Sequence, residues 1–361
     1  MRMLLVLAPI LYLSPGCHAQ GLPSDSAPPG RETGTPDSGT PDSDTPDTGT
    51  GETGSPDTGP PDTGTPEYWQ ALSIQSSQAL TDFQVQLITG TSSAVAQGHM
   101  LDDCSDVRFF DSDGVTVLPH WIESGCDTST TVFWVKVPDI AVGNTTIWLT
   151  YGLPDSLPAD DPSLVFELFD GFTDPSLAGW TLVENRGTAS VRGGALELEC
   201  PDDCDWWSFA NDGVRVFREM PGDLVYEAKF ENMPEPYHWA GLLVSGAPWD
   251  NGPTNTYVAE GTGDDLCWEY IATACPWEAN HPTDAYHFRV RKNGRRHVWE
   301  YSIGPGSWQA VTENSQESSY VGLLLKNFHS DGSAISRIDH FFARKNSTPE
   351  PTVSLLPGFL P

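Results

Sequence analysis

From Tyr68 to Tyr151 apolar and polar residues alternate in short runs, as in FQVQLI and TTIWLTY. A period of two places successive side chains on opposite faces of an extended chain, so these runs predict half-buried strands. The pattern places strands at 69–75, 82–88, 107–111, 115–123, 130–137 and 145–151. Asp113-Gly114 and Gly143-Asn144 read as hairpin turns between neighbouring runs. No stretch of useful length has a helical period. Six strands in this span predict a small antiparallel β-sandwich over residues 67–158.

Pro154, Pro158 and Pro162 mark a linker, after which the strand pattern resumes over 162–345. Runs at 180–184, 189–192, 195–199, 213–217, 225–231, 239–245 and 256–260 are followed by 266–271, 286–291, 297–303, 308–312, 320–326 and 335–342. About thirteen strands without a clear helix predict two large packed sheets, a jelly roll. The tail, 346–361, carries one further candidate edge strand at 350–355. The fold class expected is therefore all-β: a small sandwich followed by a larger jelly-roll sandwich.

The first 66 residues differ. Arg2 precedes a ten-residue apolar run, 4–13, too short to span a bilayer and typical of an export signal. Residues 1–19 read as a signal peptide with two endings: a lipobox ending at Cys17, which would be acylated, or cleavage after Ala19. Ser14-Pro15-Gly16-Cys17 resembles bacterial lipoprotein signals in its small residues before Cys, and departs from them in Pro15. Residues 20–66 form a Thr/Pro/Asp/Gly-rich linker with six pentads from Thr35 to Gly64, such as TPDSG and TPDTG. So few apolar side chains cannot offset chain entropy, and the linker is expected to be disordered. The location implied is export, as an outer-surface lipoprotein or a secreted or periplasmic protein.

Charge narrows the partners. The 361-residue chain has 18 Lys+Arg against 50 Asp+Glu, a formal charge of −32. The 67–361 body alone holds 41 acids and 16 bases, −25. With no basic footprint to neutralise phosphates, nucleic acid is excluded as a partner. An anionic membrane is disfavoured, so membrane contact is expected only through a lipid anchor at Cys17. The sequence is silent on oligomeric state.

Two resemblances follow from particular residues. Trp69 with its alternating strand, LTDFQVQLI, DVRFFDSDG (106–114), VLPHWIE (117–123), FWVKVP (133–138) and TIWLTYG (146–152) resemble, in that order, the exported modules called domain of unknown function 2341. That resemblance implies a surface β-sandwich, often joined to a lectin-like partner, and supplies no catalytic residues. In the second domain the relevant pieces are FDGF, GGALEL (193–198), PGDLVYEA (221–228), AGLLV (240–244), YHFRVRKNG (286–294), VGLLLK (321–326) and RIDHF (337–341). Together they are similar to the concanavalin A-like lectin/glucanase superfamily. Its start and end motifs imply that the first and last strands are neighbours in one sheet.

Seven cysteines are present, and either processing route removes Cys17 from pairing. The remaining six, an even number in an exported chain, suggest disulfides. Proximity favours Cys104–Cys126; Cys200, Cys204, Cys267 and Cys275 pair either locally, as 200–204 and 267–275, or crosswise. Asp106, Arg108, Asp111 and Asp113 read as a structural ion pair beside a turn rather than a calcium site. No cofactor is certain. The resemblance allows a structural calcium at the sheet end, with Asp170 and Asp339 as ligands.

Catalysis has weak support. Retaining jelly-roll glycosidases need two carboxylates about 5–5.5 Å apart, and the E-x-D-x-x-E strand that supplies them is absent. Glu227 and Glu269 stand alone, and G-x-S-x-G and H-E-x-x-H are missing. The reading leans away from an enzyme, with a glycan-processing hydrolase or a purely structural, protein-binding module as rivals.

Binding of carbohydrate or a cell-surface glycan is the leading expectation. Nine of 13 Trp lie in the second domain, and Trp207, Trp249 and Trp277 sit in polar, turn-like surroundings. Indole faces suit the C–H faces of a sugar, while neighbouring amides and carboxylates suit its hydroxyls. The candidate polar set is Asp250, Asn251, Asn255, Asp264, Asp265, Asn280 and His281. Trp180, Trp239, Trp299 and Trp308 read as strand residues and are expected in the core.

Overall fold

The computed structural model describes residues 66–153, 158–204, 212–232, 238–246, 256–261, 265–270, 277–280, 286–327 and 332–360. For 256–261, 265–270, 277–280, 286 and 358–360 it describes the backbone alone. Residues 60–361 form one compact unit.

The chain begins with β1 (Tyr68–Ser76), β2 (Leu80–Thr89), the short α1 (Ser92–Ala96), β3 (Arg108–Phe110) and β4 (Val117–Leu118). It continues through β5 (His120–Ser124), β6 (Thr131–Ile140), β7 (Gly143–Tyr151) and α2 (Pro162–Val165). Next come β8 (Leu168–Asp170), β9 (Thr181–Val183), β10 (Thr188–Arg192), β11 (Ala195–Cys200), β12 (Val214–Glu219), β13 (Leu224–Asn232) and β14 (His238–Ser245). The last strands are β15 (Thr256–Gly261), β16 (Asp265–Tyr270), β17 (Trp277–Asn280), β18 (Tyr286–Asn293), β19 (Arg296–Ser302), β20 (Gln309–Ser315), β21 (Tyr320–Asn327), β22 (Ala334–Lys345) and β23 (Thr352–Leu360).

Four antiparallel sheets result, and the protein is all-β with sandwich architecture. The first has the order β23-β1-β7-β3-β4 and the second β2-β6-β5. Leu72, Ile74, Phe109 and Ile147 of the first sheet meet Phe83, Val85, Phe133 and Val135 of the second in one core. The third sheet runs β10-β11-β22-β13-β18-β19-β20, with β8 also on β22, and the fourth β17-β16-β15-β14-β21-β12-β9. Leu198, Tyr226, Phe288, Trp299 and Phe341 of the third pack on Val216, Leu242, Leu323 and Leu325 of the fourth. Each such side chain contributes about 1.5–3 kcal/mol when fully buried. The pairing of β8 with β22 makes the first and last strands of the larger sandwich neighbours.

Two turns differ from their sequence reading. The run at 115–123 is not one strand: β4 pairs with β3 in the first sheet and β5 with β6 in the second. Pro119, which cannot donate to a ladder, sits at the crossing. Nor is Gly143-Asn144 a hairpin, because β6 and β7 belong to different sheets. Gly143, at φ 92°, carries the chain across the sandwich. The Asp113-Gly114 hairpin between β3 and β4 is present. After β22 the chain returns to the first sandwich, where β23 pairs with β1 through Leu72↔Leu355 and Ile74↔Val353.

The second and third sheets also face each other. Trp121 and Trp134 pack there on Val165, Phe166 and Phe342. This explains why β6 reads TVFWVKV without clear alternation: Phe133, Val135 and Val137 fill one core while Trp134 fills the other. Buried Gln84 bridges the layers, its amide donating to the Val165 carbonyl at 2.9 Å and its oxygen accepting from the Lys345 N–H at 3.1 Å. Among the described residues two disulfides are formed, Cys104–Cys126 and Cys200–Cys204. Cys267 is described as backbone only, and Cys275 and Cys17 lie outside the described residues.

Candidate functional site

Alternation along β13, β18, β19 and β22 sends Tyr226, Phe288, Trp299 and Phe341 into the core. The intervening residues are therefore on the opposite face: Glu227, Arg289, Arg291, Glu300 and Arg344. Register places Glu227 directly across from Arg289, and Arg289 directly across from Glu300. Opposite charges at facing positions attract, so three strands lock into one row. Arg289 Nε donates to Glu300 Oε2 at 2.8 Å, and its Nη1 lies 3.8 Å from Glu227 Oε1. Arg291 Nη2 donates to the other Glu300 oxygen at 2.9 Å. Arg344 joins Glu227 and Glu350, each at 2.8 Å.

The network is largely buried. Burial pushes the Glu227 carboxyl up, against the pull of Arg344 and Arg289. Burial also opposes the charge on Arg344, but Glu350 and Glu227 more than offset it and hold that guanidinium above its ordinary pKa. Desolvation pushes the Glu350 carboxyl up, but Arg344, Arg289 and Arg291 together outweigh it and hold it low.

In the middle of the row the Arg289 guanidinium lies 4.0 Å from the centroid of the Trp308 ring. Trp308, expected in the core, is only half-buried, with His287 edge-on to it. Beyond Arg291 the same face opens into a cleft of about 440 Å3, floored by β18–β20 and walled by Asn346 and Thr348. Its sides carry Arg291, Asn293, Arg296, Thr312 and Glu313. Two buried polar atoms at its wall, Arg291 Nε and Asn346 Oδ1, have no hydrogen-bond partner among the described residues. The volume lies within the range of small-ligand sites, about 300–1,000 Å3. Forked guanidinium donors, amides and hydroxyls over an open floor suit a polyhydroxylated ligand.

The other side of the row meets the second sheet. Glu123 accepts from Trp134 Nε1 at 2.8 Å and lies 3.8 Å from both His287 and His340. Burial lowers His287 to about 4 despite Glu123.

Trp207, Trp249, Asp250, Asn251, Asn255, Asp264 and His281 lie outside the described residues. The backbone puts Trp277 and Asn280 on β17 and Asp265 on β16, with Asp265↔Asn280 in register. Asp170 accepts from Trp180 Nε1 at 2.6 Å and from the Phe172 N–H at 2.8 Å. Asp339 is engaged by Lys229 at 2.7 Å and by His340 at 3.3 Å, contacts that hold its carboxyl below the usual range, the His340 hydrogen bond first. Each of the two candidate calcium ligands thus accepts from protein donors on at least one oxygen. Among the described residues no three His, Cys, Asp or Glu cluster as a metal site. Trp180 and Trp299 are buried, whereas Trp239 is half-buried beneath Lys326. Asp106 accepts from the Leu101 and Gly152 N–H groups, and Arg108 Nη1 donates to the Ser105 and Val107 carbonyls. The alternation YEAKF and YHFRVRKN carried the signal for the missed row. Which facing residues it joins required the strand register.

Comparison with known proteins gives one family. Residues 103–183 match the domain of unknown function DUF2341. The match runs from the Cys104 disulfide through β3–β7 and on into β8 and β9 of the larger sandwich. No curated protein matches the chain. Similar solved structures include a prokaryotic beta-1,3-1,4-glucanase (lichenase) derived from a mouse hindgut metagenome, at 12% identity and TM-score 0.37, covering 49% of this chain and 98% of that one. The catalytic domain of an endo-1,3-beta-glucanase (laminarinase) from Thermotoga petrophila has 12% identity and TM-score 0.37 over 50% and 98%. The GH43 BlXynB protein from Bacillus licheniformis has 15% identity and TM-score 0.42 over 64% and 46%.

Proposed function

We propose that this chain is an exported, surface-attached, non-catalytic protein that binds glycan through its larger sandwich. The observation that carries the reading is the Trp308–Arg289 stack at the centre of the charged row, with the cleft at Arg291 beyond it. The half-buried indole, braced by the buried Arg289 guanidinium, gives a flat apolar surface, and the donors of the cleft at Arg291 lie beyond it, the combination a sugar ring needs. The disposition of the acids favours binding over hydrolysis. A glycosidase needs one carboxyl that carries a proton and a second that is free to attack or to activate water. Here Arg289 stands between Glu227 and Glu300, and each is engaged by a second arginine as well.

A glycan array probed with the full chain tests the reading. Binding that falls in Trp308→Ala and Arg291→Ala, with the unfolding midpoint retained, supports it; an array without hits, or hits indifferent to both variants, overturns it. Trp249→Ala and Trp277→Ala ask whether the indoles flagged by the sequence extend the site. Mass spectrometry of the mature N-terminus decides between acylation of Cys17 and cleavage after Ala19.

A hydrolase is the second reading, favoured by one observation: burial raises the Glu227 carboxyl toward the protonated form while Glu300 shares its row. New reducing ends from a neutral polysaccharide, lost in Glu227→Gln, would establish it in place of simple binding.

A further inference from the structure

The first sheet has an outer face that no part of the reading above uses. Leu72, Ile74, Phe109, Ile147 and Leu149 point into the core. Their alternating neighbours Trp69, Phe110 and Trp148 therefore point outward, on three adjacent strands. All three rings are half-buried. Phe110 lies directly opposite Trp148, and Trp69 one step along β1. Trp69 and Phe110 are offset-stacked with centroids 5.2 Å apart, and Trp148 meets Trp69 edge-on at 6.1 Å. Val117, opposite Phe110 on β4, is 56% exposed and extends the apolar surface. Further along the same face the side chains become amides and hydroxyls. Gln75 donates to Ser73 Oγ at 3.1 Å and to Asn144 Oδ1 at 2.9 Å.

We propose that this face is a second carbohydrate platform, taking a neutral polysaccharide chain across β3, β7 and β1. It is separate from the cleft on the third sheet and stands or falls independently of it. Charge selects the occupant. The chain carries −32, yet Trp69, Phe110, Trp148, Val117, Ser73, Gln75 and Asn144 are all uncharged. A polyanion is repelled by the body, and a second copy brings its own −32 to the contact. Among the described residues the turn carboxylates beside the rings are oriented by their own loop, Asp113 accepting from the Val115 and Thr116 N–H groups and the Thr116 hydroxyl, and Asp111 from the Ser112 N–H. Arg108, the neighbouring cation on β3, turns its guanidinium onto backbone carbonyls. A neutral polymer with apolar C–H faces and hydroxyl edges matches both halves of the surface, the rings for the faces and the amide rim for the edges.

Co-sedimentation of the full chain with microcrystalline cellulose, chitin and an insoluble β-1,3-glucan tests this, with alginate beads as the anionic control. The expected result is pull-down by at least one neutral polymer and not by alginate. Binding should weaken about tenfold, the scale of one aromatic anchor, in Trp148→Ala and Trp69→Ala at an unchanged unfolding midpoint. It should persist in Trp308→Ala, which reports on the other site. Should Trp148→Ala fail to fold, Phe110→Ser carries the same comparison. Wild-type binding to none of the neutral polymers, binding indifferent to these substitutions, or a dimer in sedimentation velocity that Trp148→Ala dissociates would each overturn the proposal.

Discussion

Arg289 lies directly across from Glu227 on one neighbouring strand and from Glu300 on the other, so a single guanidinium separates two buried carboxylates. Removing one partner from a buried ion network leaves uncompensated charge, which costs about 3–5 kcal/mol. Arg289→Met is therefore expected to lower the unfolding free energy on that scale, measured by urea titration. Glu227→Gln should cost less, because Arg344 keeps Glu350. Equal losses in the two variants would contradict the assignment of Arg289 as the hub.

Acidification should destabilise the protein. His120, His287 and His297 are each lowered to about 4, chiefly by burial, against 6.5 for a free imidazole. The unfolded chain then binds more protons than the folded one between these values. Stability falls as pH drops from about 6.5 to 4, and this loss stops growing below about 4. Each histidine adds a slope of up to about 1.4 kcal/mol per pH unit. Guanidinium midpoints at pH 7, 5.5 and 4.5 should decline, and less steeply in His120→Gln.

The two disulfides should differ in worth. Cys104–Cys126 spans 22 positions and Cys200–Cys204 only 4. Loop-closure entropy then assigns about 3 kcal/mol to the first and about 2 kcal/mol to the second. Paired Cys→Ser variants compared by thermal unfolding check the order; a larger loss from the short loop would contradict the entropic account.

Gly322, in the middle of β21, faces Phe217. A Cβ there would lie 2.4 Å from the Val216 carbonyl oxygen and 2.8 Å from Phe217 Cβ. Backbone cannot yield as a flexible side chain does, so Gly322→Ala should lose about 1–3 kcal/mol from overpacking. Gly304→Ala, between β19 and β20, where the backbone is not left-handed and the added atom meets nothing within 4 Å, is the control for space alone.

Much of the architecture is legible from local pattern. FQVQLI and TTIWLTY announce strands because alternation is a property of each strand by itself, and Asp113-Gly114 announces its hairpin for the same reason. The 115–123 run misleads because a proline can mark either an edge or a crossing between sheets. Trp308 misleads because a tryptophan beside a strand packs inward or lies outward according to what the sheet face offers, here the Arg289 guanidinium two strands away.

The chain alone determined an all-β body, a strongly acidic composition and the proximity that favours Cys104–Cys126, and it left Cys200, Cys204, Cys267 and Cys275 open between local and crosswise pairing. Those follow from periodicity, proximity and composition, which need no partner strand. Only the tertiary structure decided that β23 returns to β1, that Trp134 is covered on the far side of its sheet, and that Glu227, Arg289 and Glu300 form one row. Each depends on which strands lie side by side and in what register. Register is fixed by the fit of whole faces, between residues far apart in the chain, so no local window of sequence contains it.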